Sequence, residues 1–398
     1  MRRRQEARHQ VLIPLRQTNS DCENASPIFF IMFQIKGIYG SANCYAPDFE
    51  ERAVEDVKRI LSCPLMSNRH IAIMPDGHTN GDGTITGFTM TDGEEVILGL
   101  EDDSGCGISY CLLDIEEKDI DFAALDEACH DIPAGRGQSY IEPAYRYDFT
   151  PLHCYEAIKD YFRWPVCLGS LGGGNHFIEL DKDEEGKIYL LVHNGLGYLS
   201  GAAVEYYFEK ALRIAGKTKE NALLEDTVLT GKDKEEFLED MHFFERLCVY
   251  NRAYISDYII NKMGWKVIRR EDICHHYQSP VDGIIRHGAI SAHEGETVLI
   301  PVNAMDGTLL GKGKGNPDWN YSAPHGGGRL YSRKWARQKF SFEEYQQQMK
   351  DVVSSSVLPG NIDEIPSAYR RLEQIKKAIE ESVEVEHVLK PFFNYKGI

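Results

Sequence analysis

The chain has 398 residues, of which 42% are hydrophobic and 27% charged, enough to bury a substantial core as one large domain or several ordinary ones. No apolar run approaches the roughly 20 residues of a bilayer-spanning helix, which excludes a helical membrane span. A formal charge of −18 repels nucleic acid at long range, so any nucleic-acid role has to rest on a local basic face. The ten cysteines are scattered with no C-x-x-C pair, a pattern that suits reduced thiols in a cytoplasmic protein better than a disulfide framework.

Residues 1–31 start with Met1-Arg2-Arg3-Arg4 and carry only a short, late apolar cluster. They are read as a disordered N-terminal extension, or an over-long start, rather than a signal peptide. Val54, Val57 and Leu61 recur at helical spacing, predicting an amphipathic helix from residue 51 to 62. His70-Ile71-Ala72-Ile73-Met74 reads as a buried strand that ends at Pro75-Asp76-Gly77-His78. Asp76 is either a turn residue or a carboxylate displayed at a strand end. Val96 to Leu100 is a second strand, followed by Asp103-Ser104-Gly105-Cys106-Gly107, where a carboxylate and a thiol stand three positions apart in a glycine turn and can reach one cation.

A helix is expected around Phe122 to His130 and a loop over 134 to 150. A glycine run then opens the strand Asn175-His176-Phe177-Ile178-Glu179-Leu180. After a charged hairpin turn the strand Ile188 to Val192 delivers His193, so His176 and His193 occupy the mouths of neighbouring strands. Residues 201 to 263 are mostly helical. Cys274-His275-His276 follows a strand-like stretch, and because adjacent side chains of an extended chain point opposite ways, at most one of this histidine pair faces a given metal. Residues 285–292 and 298–301 are strand-like, and two helices are expected near 342–353 and 365–381.

The segment Tyr321-Ser322-Ala323-Pro324-His325-Gly326-Gly327-Gly328-Arg329 sets one histidine in a glycine run, with Arg333, Lys334 and Arg337 following. Three residues without Cβ let backbone N–H groups approach a phosphate, while the basic residues attract anionic oxygens. His325 is therefore the nucleophile candidate, although a glycine-rich surface turn has the same local pattern. Asp103, Cys106, His176, His193 and His276 form a mixed O/S/N set suited to one or two divalent ions, with zinc the default from ligand type alone.

Taken in order, these segments resemble the RtcB-type RNA-splicing ligases: Met74 to His78, Asp103 to Gly107, Gly174 to Glu179, His193, Asn251-Arg252-Ala253, Cys274-His275-His276, Gly288 to Glu296, His325 to Arg329, and Lys396-Gly397. The resemblance implies one large α+β catalytic domain over residues 32–398, with central sheets surrounded by helices. It also implies a GTP- and manganese-dependent enzyme that joins RNA 3′-phosphate or 2′,3′-cyclic-phosphate ends to 5′-hydroxyl ends in tRNA splicing or RNA repair, through a guanylylated His325. Two manganese ions are implied, one held by Cys106, His176 and His193 and the other by Asp103, Cys106 and His276. Asn175, Glu179 and Lys396 match nucleotide-contacting positions, Gly326, Gly327, Gly328 and Arg329 belong to the same nucleotide-binding segment, and Asp76 matches a carboxylate needed near the reacting ends.

The chain departs from the family pattern in three places. Asn194-Gly195-Leu196-Gly197 replaces the usual serine-arginine-glycine turn, His287 stands where lysine is common, and the Pro301 to Met305 loop is atypical. A divergent branch is the expectation. The alternatives are a metal-dependent nucleotidyltransferase that caps 3′-phosphate ends without sealing them and a non-catalytic RNA-binding relative.

Overall fold

The computed structural model describes residues 32–79, 83–101, 104–134, 147–160 and 169–397. The extension read at 1–31, most of the loop read at 134–150, and Asp103 lie outside the described residues. The architecture is α+β, built on two main sheets. A six-stranded sheet runs in the order Phe33–Lys36, Ser41–Cys44, Ile71–Thr79, Ile85–Thr91, Ile284–His287 and His276–Gln278. A seven-stranded sheet runs Val267–Cys274, Gly107–Leu113, Ile188–Asn194, Phe177–Lys182, Val383–Tyr395, Gly307–Gly313 and Thr297–Asn303.

The continuous apolar run of Ile188–Asn194 is explained by a sheet covered on both faces. Leu190 and Val192 point into a cluster with Ile178, Leu180, Ile255 and Ile259, the last two from the 33-residue helix Gly231–Met263. Tyr189 and Leu191 point the other way, toward Ile108, Leu299, Leu310 and Leu389. In its N-terminal half, the same long helix packs Phe237, Phe244 and Leu247 against Leu199, Ala203 and Tyr207 of the helix Gly197–Ala215. The expected helical stretch at 201–263 is thus two helices, separated by the short strand Val228–Thr230. Among the described residues no helix is long and apolar enough to cross a membrane.

The two sheets meet at His275. Strand Val267–Cys274 belongs to the larger sheet and His276–Gln278 to the smaller, so the chain changes sheets at this one residue. The crossover is pinned from both sides. The His275 N–H donates to the Cys106 carbonyl at 2.9 Å, and the His275 carbonyl accepts from Gly288 and Ala289 at 2.8 and 3.1 Å. Cys106, at the start of one strand of the larger sheet, is thereby fixed against the seam.

Candidate metal and nucleotide site

Three strand ends of the larger sheet converge on this seam. Cys106 precedes Gly107–Leu113, His176 precedes Phe177–Lys182, and His193 sits near the end of Ile188–Asn194, in register with Ile108 and Phe177. Cys106 Sγ lies 3.6 Å from His176 Nε2 and 3.5 Å from His193 Nε2. Those separations match two ligands each about 2.0–2.3 Å from a common ion at a near-tetrahedral angle. The Nδ1 atoms face backbone carbonyls, His176 to Leu171 at 2.9 Å and His193 to Asn175 at 3.3 Å. With Nδ1–H donated there, each Nε2 lone pair faces the thiol. Burial keeps both rings neutral, pushing His176 down to about 4 and His193 well below the usual histidine range. The residues present therefore fit a divalent metal ion.

Ligand atoms of Cys106, His193 and His275 also lie within 4.8 Å of one another, all three buried. His275, lying on the crossover, presents its ring 5.1 Å from that of His193 and 4.8 Å from that of His325. His276, the ligand expected from the sequence, lines the adjoining cavity, its ring 4.6 Å from His287 and 6.3 Å from His325. The two adjacent rings of His275 and His276 lie 5.2 Å apart, so both stand at the seam.

Glycine is required at two points here. A Cβ on Gly195 would stand 2.7 Å from Cys106 Cβ and 2.8 Å from its Sγ. Gly328 has φ +64°, and a Cβ there would meet the Asp76 carbonyl at 2.5 Å. The second contact packs the glycine run onto strand Ile71–Thr79.

That packing sets His325 against Asp76. His325 Nδ1 lies 2.7 Å from Asp76 Oδ2, which also accepts from the Gly326 N–H at 3.3 Å. Asp76 is fully buried, whereas the His325 side chain keeps some exposure toward the cavity. The contact is an ion-pair distance without hydrogen-bond geometry, His325 Nδ1 making no hydrogen bond among the described residues.

The cavity beside His325 has a volume of about 340 Å³. Asn175, Glu179, Gly326, Gly327, Gly328, Arg329 and Lys396, distant in sequence, all line it, together with His193 and His276. Glu179 accepts from Asn394 Nδ2 at 2.7 Å, and burial pushes its carboxyl up to about 7. Lys396 Nζ is 2.7 Å from Glu364 Oε2. Burial works against the charge of Glu364, yet Lys396, Arg333 and Arg329 overcome it and hold the carboxyl at about 2. Arg329 is committed to this wall, donating to the Asp363 carbonyl at 2.6 Å and to the Tyr369 hydroxyl at 2.7 Å. Glu364, Tyr369 and Asn394 carry no motif and were not legible as site residues.

Beneath the site, the fully buried Arg252 ties its elements together. Its guanidinium donates to both Asp272 carboxylate oxygens at 2.7 and 2.6 Å, to the Gly105 carbonyl at 2.8 Å and to the Asn194 carbonyl at 2.7 Å.

These features define a class: a two-sheet α+β protein with a thiol–imidazole cluster at the seam, opening on a polar cavity with a histidine beside a buried carboxylate. The family model described as "tRNA-splicing ligase RtcB" matches residues 155–397, more than half of the sequence, and the chain belongs to that family. It is 25% identical to the RNA-splicing ligase RtcB of Escherichia coli (strain K12), over 83% of this chain and 90% of that protein. It is 23% identical to the tRNA-splicing ligases RtcB of Aeropyrum pernix, over 83% and 89%, and of Nanoarchaeum equitans, over 86% and 91%.

Proposed function

We propose that this protein is an RNA ligase that uses GTP and manganese to join 3′-phosphate or 2′,3′-cyclic-phosphate ends to 5′-hydroxyl ends through a guanylyl-histidine at His325, in tRNA splicing or RNA repair. The observation that carries the proposal is the placement of His325, its Nδ1 2.7 Å from Asp76, in the wall of the cavity that also contains Asn175, Glu179 and Lys396. Divalent ions, one held by Cys106, His176 and His193 and a second drawing on Cys106, His276 and Asp103, would supply charge neutralisation at the phosphate oxygens.

Glu179 accepts from the N–H edge of guanine and Lys396 donates to its carbonyl oxygen. Asp76 keeps the proton of His325 on Nδ1, so Nε2 attacks the α-phosphorus; a P–N bond forms, the bond to the β-phosphate bridge breaks, and pyrophosphate leaves. A 3′-phosphate oxygen of RNA then displaces His325, transferring the guanylyl group to the RNA end. The 5′-hydroxyl of the second strand attacks the activated 3′-phosphate, and GMP leaves. A cyclic phosphate is first opened by water.

One observation favours the capping-only alternative. Asn194, where the family has a serine at the head of a serine-arginine-glycine turn, is buried and bonded to Ser170, Leu171 and Asn251, and no arginine follows it. Incubation with GTP, manganese and paired 3′-phosphate and 5′-hydroxyl RNAs decides between them. Joined product supports the ligase, whereas accumulation of guanylylated 3′ ends without joining supports the alternative.

A further inference from the structure

Where the chain leaves the glycine run it forms a short helix, Arg333–Lys339, that carries four basic residues and no acidic one and buries only Ala336. In a chain of net charge −18 this is a concentrated local reversal of sign. The helix opens with Arg333, which lines the cavity and is tethered to Asp363 at 3.0 Å. Arg337 is held by the same carboxylate, also at 3.0 Å. Asp363 thus answers two of the cations, leaving Lys334 and Lys339 exposed on the outer side.

The same helix displays an aromatic ledge. Tyr331 and Trp335 stack with ring centroids 4.3 Å apart and planes at 19°. Lys339 Nζ lies 4.2 Å from the Tyr331 centroid and 4.6 Å from that of Trp335, and donates to the Tyr331 hydroxyl at 2.8 Å. Despite these contacts Trp335 remains 44% exposed, while Trp319 is buried. One side of the indole is committed to Tyr331, and the remainder is presented to water already oriented.

We propose that Tyr331, Trp335 and Lys339, with Lys334, form a stacking platform for an unpaired base of the RNA strand whose 3′-phosphate enters the cavity at His325. The inference rests on the ligase reading for the identity of the strand. A preformed aromatic stack beside exposed lysines is how single-stranded nucleic acid is gripped without sequence readout: a base adds to the ring stack while the cations meet the backbone. Because Tyr331 and Lys339 already fix the indole, little ordering cost remains for binding. Continuity through Arg333 links the platform to the cavity, and the local charge selects a polyanion. A blunt duplex offers no splayed base to the ledge, so the platform favours frayed or single-stranded ends.

The test compares full-length wild type, Trp335→Ala and Trp335→Phe for binding to a short 3′-phosphorylated RNA, either single-stranded or with the same end in a blunt duplex. Self-labelling with GTP is measured in parallel as a report on the nucleotide site. Loss of one base stack should weaken single-strand binding by roughly 5- to 150-fold for Trp335→Ala, with most of it restored in Trp335→Phe and little change for the duplex. Lys334→Ala with Lys339→Ala should lower the salt dependence of single-strand binding. The proposal is overturned if Trp335→Ala binds single strands like wild type, if both RNA forms weaken equally, or if the substitution instead dissociates a self-associated form of the protein. Trp335-dependent binding by a wild type that never self-labels would uphold the platform and reject the ligase reading.

Discussion

Replacing Arg252 with methionine keeps most of the side-chain volume and removes the guanidinium that joins Gly105, Asn194 and Asp272. The three contacts stand beside Cys106, His193 and the Cys274-His275 crossover, so one group braces all the elements that converge on the seam. Breaking a buried ion pair costs about 3–5 kcal/mol, mainly because the partner charge is left uncompensated. The Asp272 side chain keeps 19% exposure and can recover some hydration, which puts the expected loss near the lower end, about 3 kcal/mol. Unfolding entropy of about 2.1 cal/mol/K per residue amounts to about 0.8 kcal/mol/K over this chain, so Tm should fall by about 4 °C. Differential scanning calorimetry measures this, and titration with Co²⁺, whose thiolate charge-transfer band reports Cys106, should show weakened binding in the same variant. A Tm within about 1 °C of wild type together with an unchanged cobalt titration would refute the bracing role.

Asp76→Asn should slow self-labelling with GTP by roughly 10²–10⁴-fold, because the amide no longer fixes the Nδ1–H tautomer of His325; the initial rate of label incorporation checks it. In Gly195→Ala the new Cβ would press on the Cys106 side chain, and cobalt affinity should fall by roughly 10- to 100-fold with little change in far-UV circular dichroism. Burial raises the Glu179 carboxyl to about 7 beside the equally buried Asp181, so its ionised form gains population as pH rises through that value. Guanosine, which has no phosphate to titrate, should bind more tightly as pH rises through 7, and Glu179→Gln should flatten the profile. Because the folded state holds this proton more tightly than the unfolded one, the same group withdraws stability as pH rises from about 4.5 to 7, a slope that Glu179→Gln should reduce in urea melts.

Much of the site was legible because its motifs sit at strand ends, where local sequence pattern is strong. The hairpin Phe177–Lys182 with Ile188–Asn194 brings His176 and His193 together as the charged turn between them implied. The helix at Phe122–His130 falls where its sequence placed it. What escaped depended on long-range pairing. The 13-residue strand Val383–Tyr395, for which no strand was expected, is inserted between Phe177–Lys182 and Gly307–Gly313. Glu384, Glu386 and Lys390 keep to one face, but His387-Val388 reverses the alternation and Pro391 argues against a central strand, and the insertion buries Lys396 at the cavity. Glu364 likewise gains its meaning only from Arg329, Arg333 and Lys396, none of them near it in sequence. Arg329 and Arg333, in the basic segment expected to attract anionic oxygens, have guanidinium groups engaged by that carboxylate.

The central claim, that His325 is the covalent acceptor, is tested most directly by incubating the purified protein with α-labelled GTP and manganese and following label through denaturation. The account expects label that survives denaturation, is released by acid, and is lost in His325→Ala while the variant retains wild-type cobalt binding. Label retained undiminished in His325→Ala, or none on the wild-type protein with any divalent ion, would contradict it.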